Sequence, residues 1–136
     1  MKKAYISADI EGMEGVVTNI QCSRQGAESS GEKLHRTRPS PSLGRARACF
    51  DSGYDEVLVC DGHADMENLL IEDLDERIKL LSGAMRQSLQ MEAIDGTFDA
   101  YISFGHAGAG LTPGGVIDHC YNGGKVYNLR FNGITM

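Results

Sequence analysis

The sequence predicts an α/β domain: a largely parallel sheet with helices on both faces, ending in an antiparallel hairpin. Three observations lead there. Short, near-continuous apolar runs recur along the 136 residues, as strands covered on both faces require. Helical segments stopped by glycine lie between them. The tail then changes to two strand-like runs joined by Asn122-Gly123-Gly124, a hairpin signal.

Taken in order, residues 3–9, KAYISAD, form the first strand. The stretch 22–42, CSRQGAESSGEKLHRTRPSPS, is polar, carries Pro39 and Pro41, and reads as an atypical mobile loop. A loop of that length inside a compact domain is uncommon and is usually functional or anomalous. A helix over 43–52, LGRARACFDS, is stopped by Gly53, and the second strand follows at 55–60, DEVLVC. A weaker third strand is expected at 77–82, RIKLLS. A second helix is expected at 84–94, AMRQSLQMEAI, with Met85 and Met91 as core packing. The fourth strand is 98–104, FDAYISF. In the tail, 116–121, VIDHCY, and 125–131, KVYNLRF, flank the hairpin turn. A further turn, Asn132-Gly133, comes just before Met136, so the sequence reads as continuing past that point.

Bulk properties narrow the function. The length suits one domain spanning 1–136 with its own core. Hydrophobic and charged fractions of 41% and 24% are those of a soluble globular protein. A net charge of −6 and a pI near 5.1 argue against nucleic acid or an anionic membrane as partner. No apolar run approaches the roughly 18 residues of a membrane span. Lys2 and Lys3 lead straight into a strand, which is not the pattern of a signal peptide. Cys22, Cys49, Cys60 and Cys120 show no C-x-x-C pairing and read as reduced thiols of a cytoplasmic protein.

In parallel α/β sheets, ligands bind beyond the carboxyl ends of the strands, where loops converge. Three expected strands deliver metal-type ligands there. The first gives Asp9 and Glu11, two apart and so able to face one site. The second gives Asp61 and His63, and the fourth gives His106. Carboxylates and imidazoles together suit zinc or manganese, and a mixed set suits a two-metal site. Each element has a plainer reading. Asp-x-Glu and Asp-Gly-His are common turn sequences, His106 could be bonded to backbone, and Asp61 could cap the segment that follows. His119 lies behind the flexible 108–115 loop, able to fold over the site as acid, base or oxyanion donor. The alternative is an exposed strand histidine beside Asp118. The Gly-rich GHAGAGLTPGG lacks the lysine of a P-loop, and no nucleophile elbow occurs.

These motifs, in this order, resemble the N-terminal half of the zinc-dependent D-aminopeptidase family of dipeptide-transport operons. The stretches that carry the resemblance are SADIEGMEG at 7–15, DEVLVCDGH at 55–63 and NLLIEDL at 68–74. LLSG at 80–83, FGHAGAG at 104–110 and GVIDH at 115–119 continue it. The resemblance implies a two-zinc site held by Asp9, Glu11, His63 and His106, with Asp9 bridging, and it implies that His119 is catalytic. It further implies removal of N-terminal D-amino acids from short peptides through a metal-bridging water, by a homo-oligomer. Two departures stand out. The family's fifth ligand is a glutamate in a Gly-Glu pair shortly after the Asn-Gly turn, and the 136-residue sequence does not reach that position. Relatives also carry a regular helix across 25–45, where Pro39 and Pro41 forbid one here and a local shift of reading frame would account for the change. The alternatives are a non-catalytic remnant serving as a structural or assembly partner, and a two-metal hydrolase of another amide.

Overall fold

A computed structural model of the chain describes residues 1–22, 41–108, 112–119, 128 and 130–135. Four parallel strands form its sheet: β1 (Lys3–Ala8), β2 (Glu56–Asp61), β3 (Ile78–Leu81) and β4 (Ala100–Phe104). Their order is β3-β2-β1-β4. The chain thus builds outward from β1 through β2 to β3, then crosses back to place β4 on the other side of β1. That reversal opens a crevice at the carboxyl ends of β1 and β4, the usual ligand position in such sheets. β1 is central and buried from Ala4 to Ala8, with Ile6 opposite both Val59 and Ile102.

One face packs against helix α2 (Pro41–Asp51), which follows the short helix α1 (Asn19–Cys22). Ala46 and Cys49, three residues apart and so on one helix face, meet Ala4, Ile6, Ala8, Val57 and Val59. Pro41 opens this helix, although the sequence placed it in the loop. At the first helical position its missing N–H has no partner to lose. Gly53, at φ 85°, ends the turn after the helix. Residues 23–40, most of the expected polar loop, lie outside the described residues.

The other face corrects an expectation. Residues 84–94 do not form a helix; only a single 3-10 turn, Leu89–Met91, is present, with Leu89 and Ala93 at positive φ. On this face the hydroxyl of the buried Tyr5 lies 3.2 Å from the Gln90 carbonyl and 2.8 Å from that of Glu92, both of which can accept its proton. Nor is Met85 a core residue: it is fully exposed, and Met91 is 37% exposed.

The strand expected at 116–121 is also absent from its described part. Residues 112–119 instead curl into a loop in which the Thr112 N–H donates to Asp118 and Ile117 has φ 56°. The Asn122-Gly123-Gly124 hairpin lies outside the described residues. Arg130–Phe131 (β5) and Ile134–Thr135 (β6) pair antiparallel across Asn132-Gly133. Among the described residues, no helix is long and apolar enough to cross a membrane.

Candidate metal centre

Where β1 ends, its ladder with β4 continues through the backbone. The Asp9 N–H donates to the Phe104 carbonyl at 2.8 Å, and the Gly12 N–H to that of Gly105 at 2.7 Å. The two loops lie so close that no side chain fits between them. A Cβ on Gly12 would stand 2.0 Å from the His106 carbonyl oxygen, and one on Gly105 2.1 Å from that of Asp9. Gly105 is also at φ 70°. This close approach carries His106 to Asp9.

Beside it, the end of β2 brings His63. Its Nδ1 lies 3.2 Å from Asp9 Oδ1 and 3.0 Å from Glu11 Oε2, while its Nε2 is 2.7 Å from the Cys22 carbonyl. His106 repeats the arrangement on the other side. Its Nδ1 lies 3.2 Å from Asp9 Oδ2, and its Nε2 faces the Ser7 hydroxyl at 3.0 Å and the Ser7 carbonyl at 3.2 Å. Asp9 therefore offers one oxygen to each imidazole. Ligand atoms of Asp9, Glu11 and His63 all lie within 4.8 Å of one another, and His106 joins this group through Asp9.

The donor set requires a cation. A carbonyl can only accept, so Cys22 draws the proton of His63 to Nε2. The Nδ1 lone pair of a neutral ring would then point at two carboxylates, which is repulsive unless a proton or a metal ion lies between. In the metal-free chain a proton fills that role. Burial pushes the His63 pKa down, but hydrogen bonds to Asp9 and Glu11, with the Cys22 carbonyl, outweigh it and raise the value to about 10. Burial likewise pushes Asp9 up, yet His106 and His63 hold its carboxyl well below the usual carboxylate range.

A raised histidine pKa gives stability that is complete below the ordinary value of 6.5 and is lost as pH rises through about 10. A metal ion must displace the proton, so zinc added to the metal-free chain at pH 7.5 is expected to release about one proton from His63. Calorimetry in buffers of different ionisation heat measures this. A proton-neutral titration would contradict it.

Asp61 has another task. Its buried carboxylate accepts from the backbone N–H groups of Asn68 (2.5 Å), Leu69 (2.8 Å) and His63 (3.4 Å), and from Asn68 Nδ2 (3.0 Å). It organises the loop that holds His63 and stands outside the ligand group, as the capping alternative foresaw. Asp61→Ala would leave these donors buried without their acceptor. Its expected destabilisation is roughly 3 kcal/mol or more in denaturant melts, and a loss under about 1 kcal/mol would contradict this role.

His119 is exposed. Its ring Nδ1 lies 2.7 Å from the Ile117 carbonyl, and its backbone N–H donates to the carbonyl of Gly108, two residues past His106, at 3.1 Å. Sequence reasoning assigned no role to Ser7, Asn68 or the Cys22 carbonyl. Of these only Ser7 left a sign, as a polar residue inside an apolar strand.

The sequence profile of the D-aminopeptidase family, peptidase family M55, matches residues 1–136. The chain belongs to the D-aminopeptidase family. A D-aminopeptidase of Bacillus subtilis (strain 168) is 32% identical over 119 residues, which cover 86% of this chain and 42% of that protein. The solved Zn-dependent D-aminopeptidase DppA from Bacillus subtilis, a self-compartmentalizing protease, is 28% identical with a TM-score of 0.72. That likeness covers 98% of this chain and 47% of DppA, so this D-aminopeptidase-family chain spans less than half the length of both relatives. The parallel α/β fold expected from the sequence is the fold of DppA.

Proposed function

We propose that this chain carries the metal centre of a zinc-dependent aminopeptidase that releases N-terminal D-amino acids from short peptides. One observation carries the reading. Both imidazoles turn Nδ1 toward Asp9 while each Nε2 faces a backbone carbonyl, so electron-rich atoms converge on places that suit cations. Asp9, Glu11 and His63 would hold one ion, and Asp9 with His106 a second. Zinc bound there would supply a Lewis acid that polarises the scissile carbonyl and makes water nucleophilic near neutral pH.

The chain's own groups do the rest. A substrate's free N-terminal amine would bind at this centre, to an ion or to a carboxylate beside it. Cys22 and Ser7 hold the imidazoles in place. In His119, Nδ1–H donating to the Ile117 carbonyl leaves Nε2 as the atom that exchanges a proton with the leaving amine. Preference for D-residues, and assembly into a homo-oligomer, are carried over from the named relatives. The described cysteines Cys22, Cys49 and Cys60 are buried free thiols, which supports a reducing, cytoplasmic setting.

The test is metal content per chain by plasma mass spectrometry, together with hydrolysis of D- and L-dipeptides with and without chelator. Zinc binding and chelator-sensitive cleavage of D-dipeptides are expected. His119→Ala should lower kcat by about 10²–10⁴-fold with zinc content unchanged. Zinc retention without cleavage by the parent chain would leave the scaffold reading instead, and cleavage confined to other amides would move the substrate class.

A further inference from the structure

We infer that Gln21 is a positioning residue for His63: its side chain holds closed the segment whose two ends grip that ring. The inference rests on the metal centre proposed above and concerns how the chain aims Nδ1 of His63 into it. Residues 11–22 leave the centre and return to it. The segment starts at Glu11, whose Oε2 lies 3.0 Å from His63 Nδ1. It comes back at Cys22, whose carbonyl lies 2.7 Å from His63 Nε2. The tilt of the imidazole therefore depends on the distance between two ends of one short piece of chain.

Such a piece has little rigidity of its own. Helix α1 is a single turn of four residues, too short to be stable by itself, and Val17 and Ile20 lie exposed beside it. The Gln21 side chain supplies the closure. Its Oε1 accepts from the Val17 N–H at 2.7 Å, the Thr18 N–H at 3.0 Å and the Thr18 hydroxyl at 3.3 Å. Its Nε2 donates to the Gly15 carbonyl at 3.1 Å. Two N–H donors on the oxygen and a carbonyl on the nitrogen allow the amide only one way round. Thr18-Asn19-Ile20-Gln21 also has the spacing of a capping box, in which the side chain at the third helical position reaches back to the residue before the first turn. Here it reaches further, to Val17 and Gly15, and so ties the outgoing strand of the loop to the returning one. The last carbonyls of a helix find no partner within it, and that of Cys22 is turned to His63 instead. A histidine that binds metal through one nitrogen is oriented by the hydrogen bond of the other. Gln21 acts on that bond at one remove, through Cys22.

The experiment uses the full 136-residue chain. Zinc affinity is measured by competition against a chelating dye, and the imidazole N–H protons are followed by NMR, that of His63 being assigned by its loss in His63→Ala. Gln21→Ala, and Gln21→Met, which keeps the length without the amide, are each expected to lower zinc affinity about tenfold. In both, the His63 Nε2–H signal should broaden through exchange with water. The signal of His106, whose Nε2 faces the Ser7 hydroxyl and carbonyl, should stay sharp, which a general loosening of the fold would not allow. Gln21→Glu keeps an acceptor for the Val17 and Thr18 N–H groups and should recover part of both losses. Parent-like zinc affinity in Gln21→Ala and Gln21→Met, equal broadening of the two imidazole signals, or no zinc uptake by the parent would overturn the assignment. The two readings fail separately. Zinc affinity that depends on Gln21 in a chain that cleaves no D-dipeptide would keep the positioning role and remove the peptidase. Cleavage of D-dipeptides with zinc affinity indifferent to Gln21 would do the reverse.

Discussion

Replacing Asp9 with asparagine is expected to abolish metal binding with little change in shape. The two carboxylate oxygens stand 3.2 Å from the Nδ1 atoms of different histidines, so one residue serves both halves of the cluster. An amide of the same size keeps one acceptor and presents an N–H₂ group where the second was, without charge. Substitutions of outer-shell partners typically lower metal affinity by about 10–100-fold, and losing a shared ligand should exceed about 100-fold. Glu11→Gln should do less, because Glu11 meets one of the two histidines, His63, where Asp9 meets both. Zinc content and competition against a chelating dye measure both variants. Parent-like zinc retention by Asp9→Asn would remove Asp9 from the centre.

A large loss of stability is expected from Gly105→Ala. The added methyl would lie 2.1 Å from the Asp9 carbonyl oxygen and 2.8 Å from its carbon, atoms that no rotamer change can move away. Left-handed backbone at φ 70° adds roughly 1–2 kcal/mol of strain, and overpacking typically adds about 1–3 kcal/mol. Together these come to roughly 3 kcal/mol or more, a fall in Tm of about 10 °C for a domain of this size. Gly53→Ala is the control. It has a similar φ of 85° but nothing within 4 Å of the new Cβ, so only the strain applies. If the two variants melt alike, the close approach of the β1 and β4 loops is not what demands glycine at 105.

The strands were legible because burial on both faces forces continuous apolar runs, and the candidate ligands stood out because polar residues broke those runs at their carboxyl ends. Residues 84–94 were not. Their apolar spacing looks helical, but tertiary context overrides propensity: the segment lies on the sheet with its Gln90 and Glu92 carbonyls against a tyrosine hydroxyl more than eighty residues earlier, a contact no local pattern reveals. The loop at 112–119 was misread in the same way, because Val116 and Ile117 look strand-like until Asp118 is seen accepting from Thr112. Pro41 was misread as a breaker because the same residue stops a helix from within and starts one at its first turn.

Asp9 and Asp61 show where sequence ends and tertiary structure begins. Both are carboxylates at strand ends, and local pattern treats them alike. Register separates them: Asp61 pairs with Ala8, whose side chain belongs to the face packed on α2, while Asp9 is one residue further on. Side chains alternate between faces along a strand, so that single step turns Asp61 into its own loop and Asp9 toward the histidines. Residue types and their placement at strand ends were set by the sequence alone, because ligand chemistry and burial are properties of composition and order. Which carboxylate meets the imidazoles, which nitrogen each ring turns inward, and why Gly12 and Gly105 must lack side chains were decided only by the packing of β1 between β2 and β4. Those outcomes depend on ångström-scale distances between segments that the sequence places about fifty to a hundred residues apart.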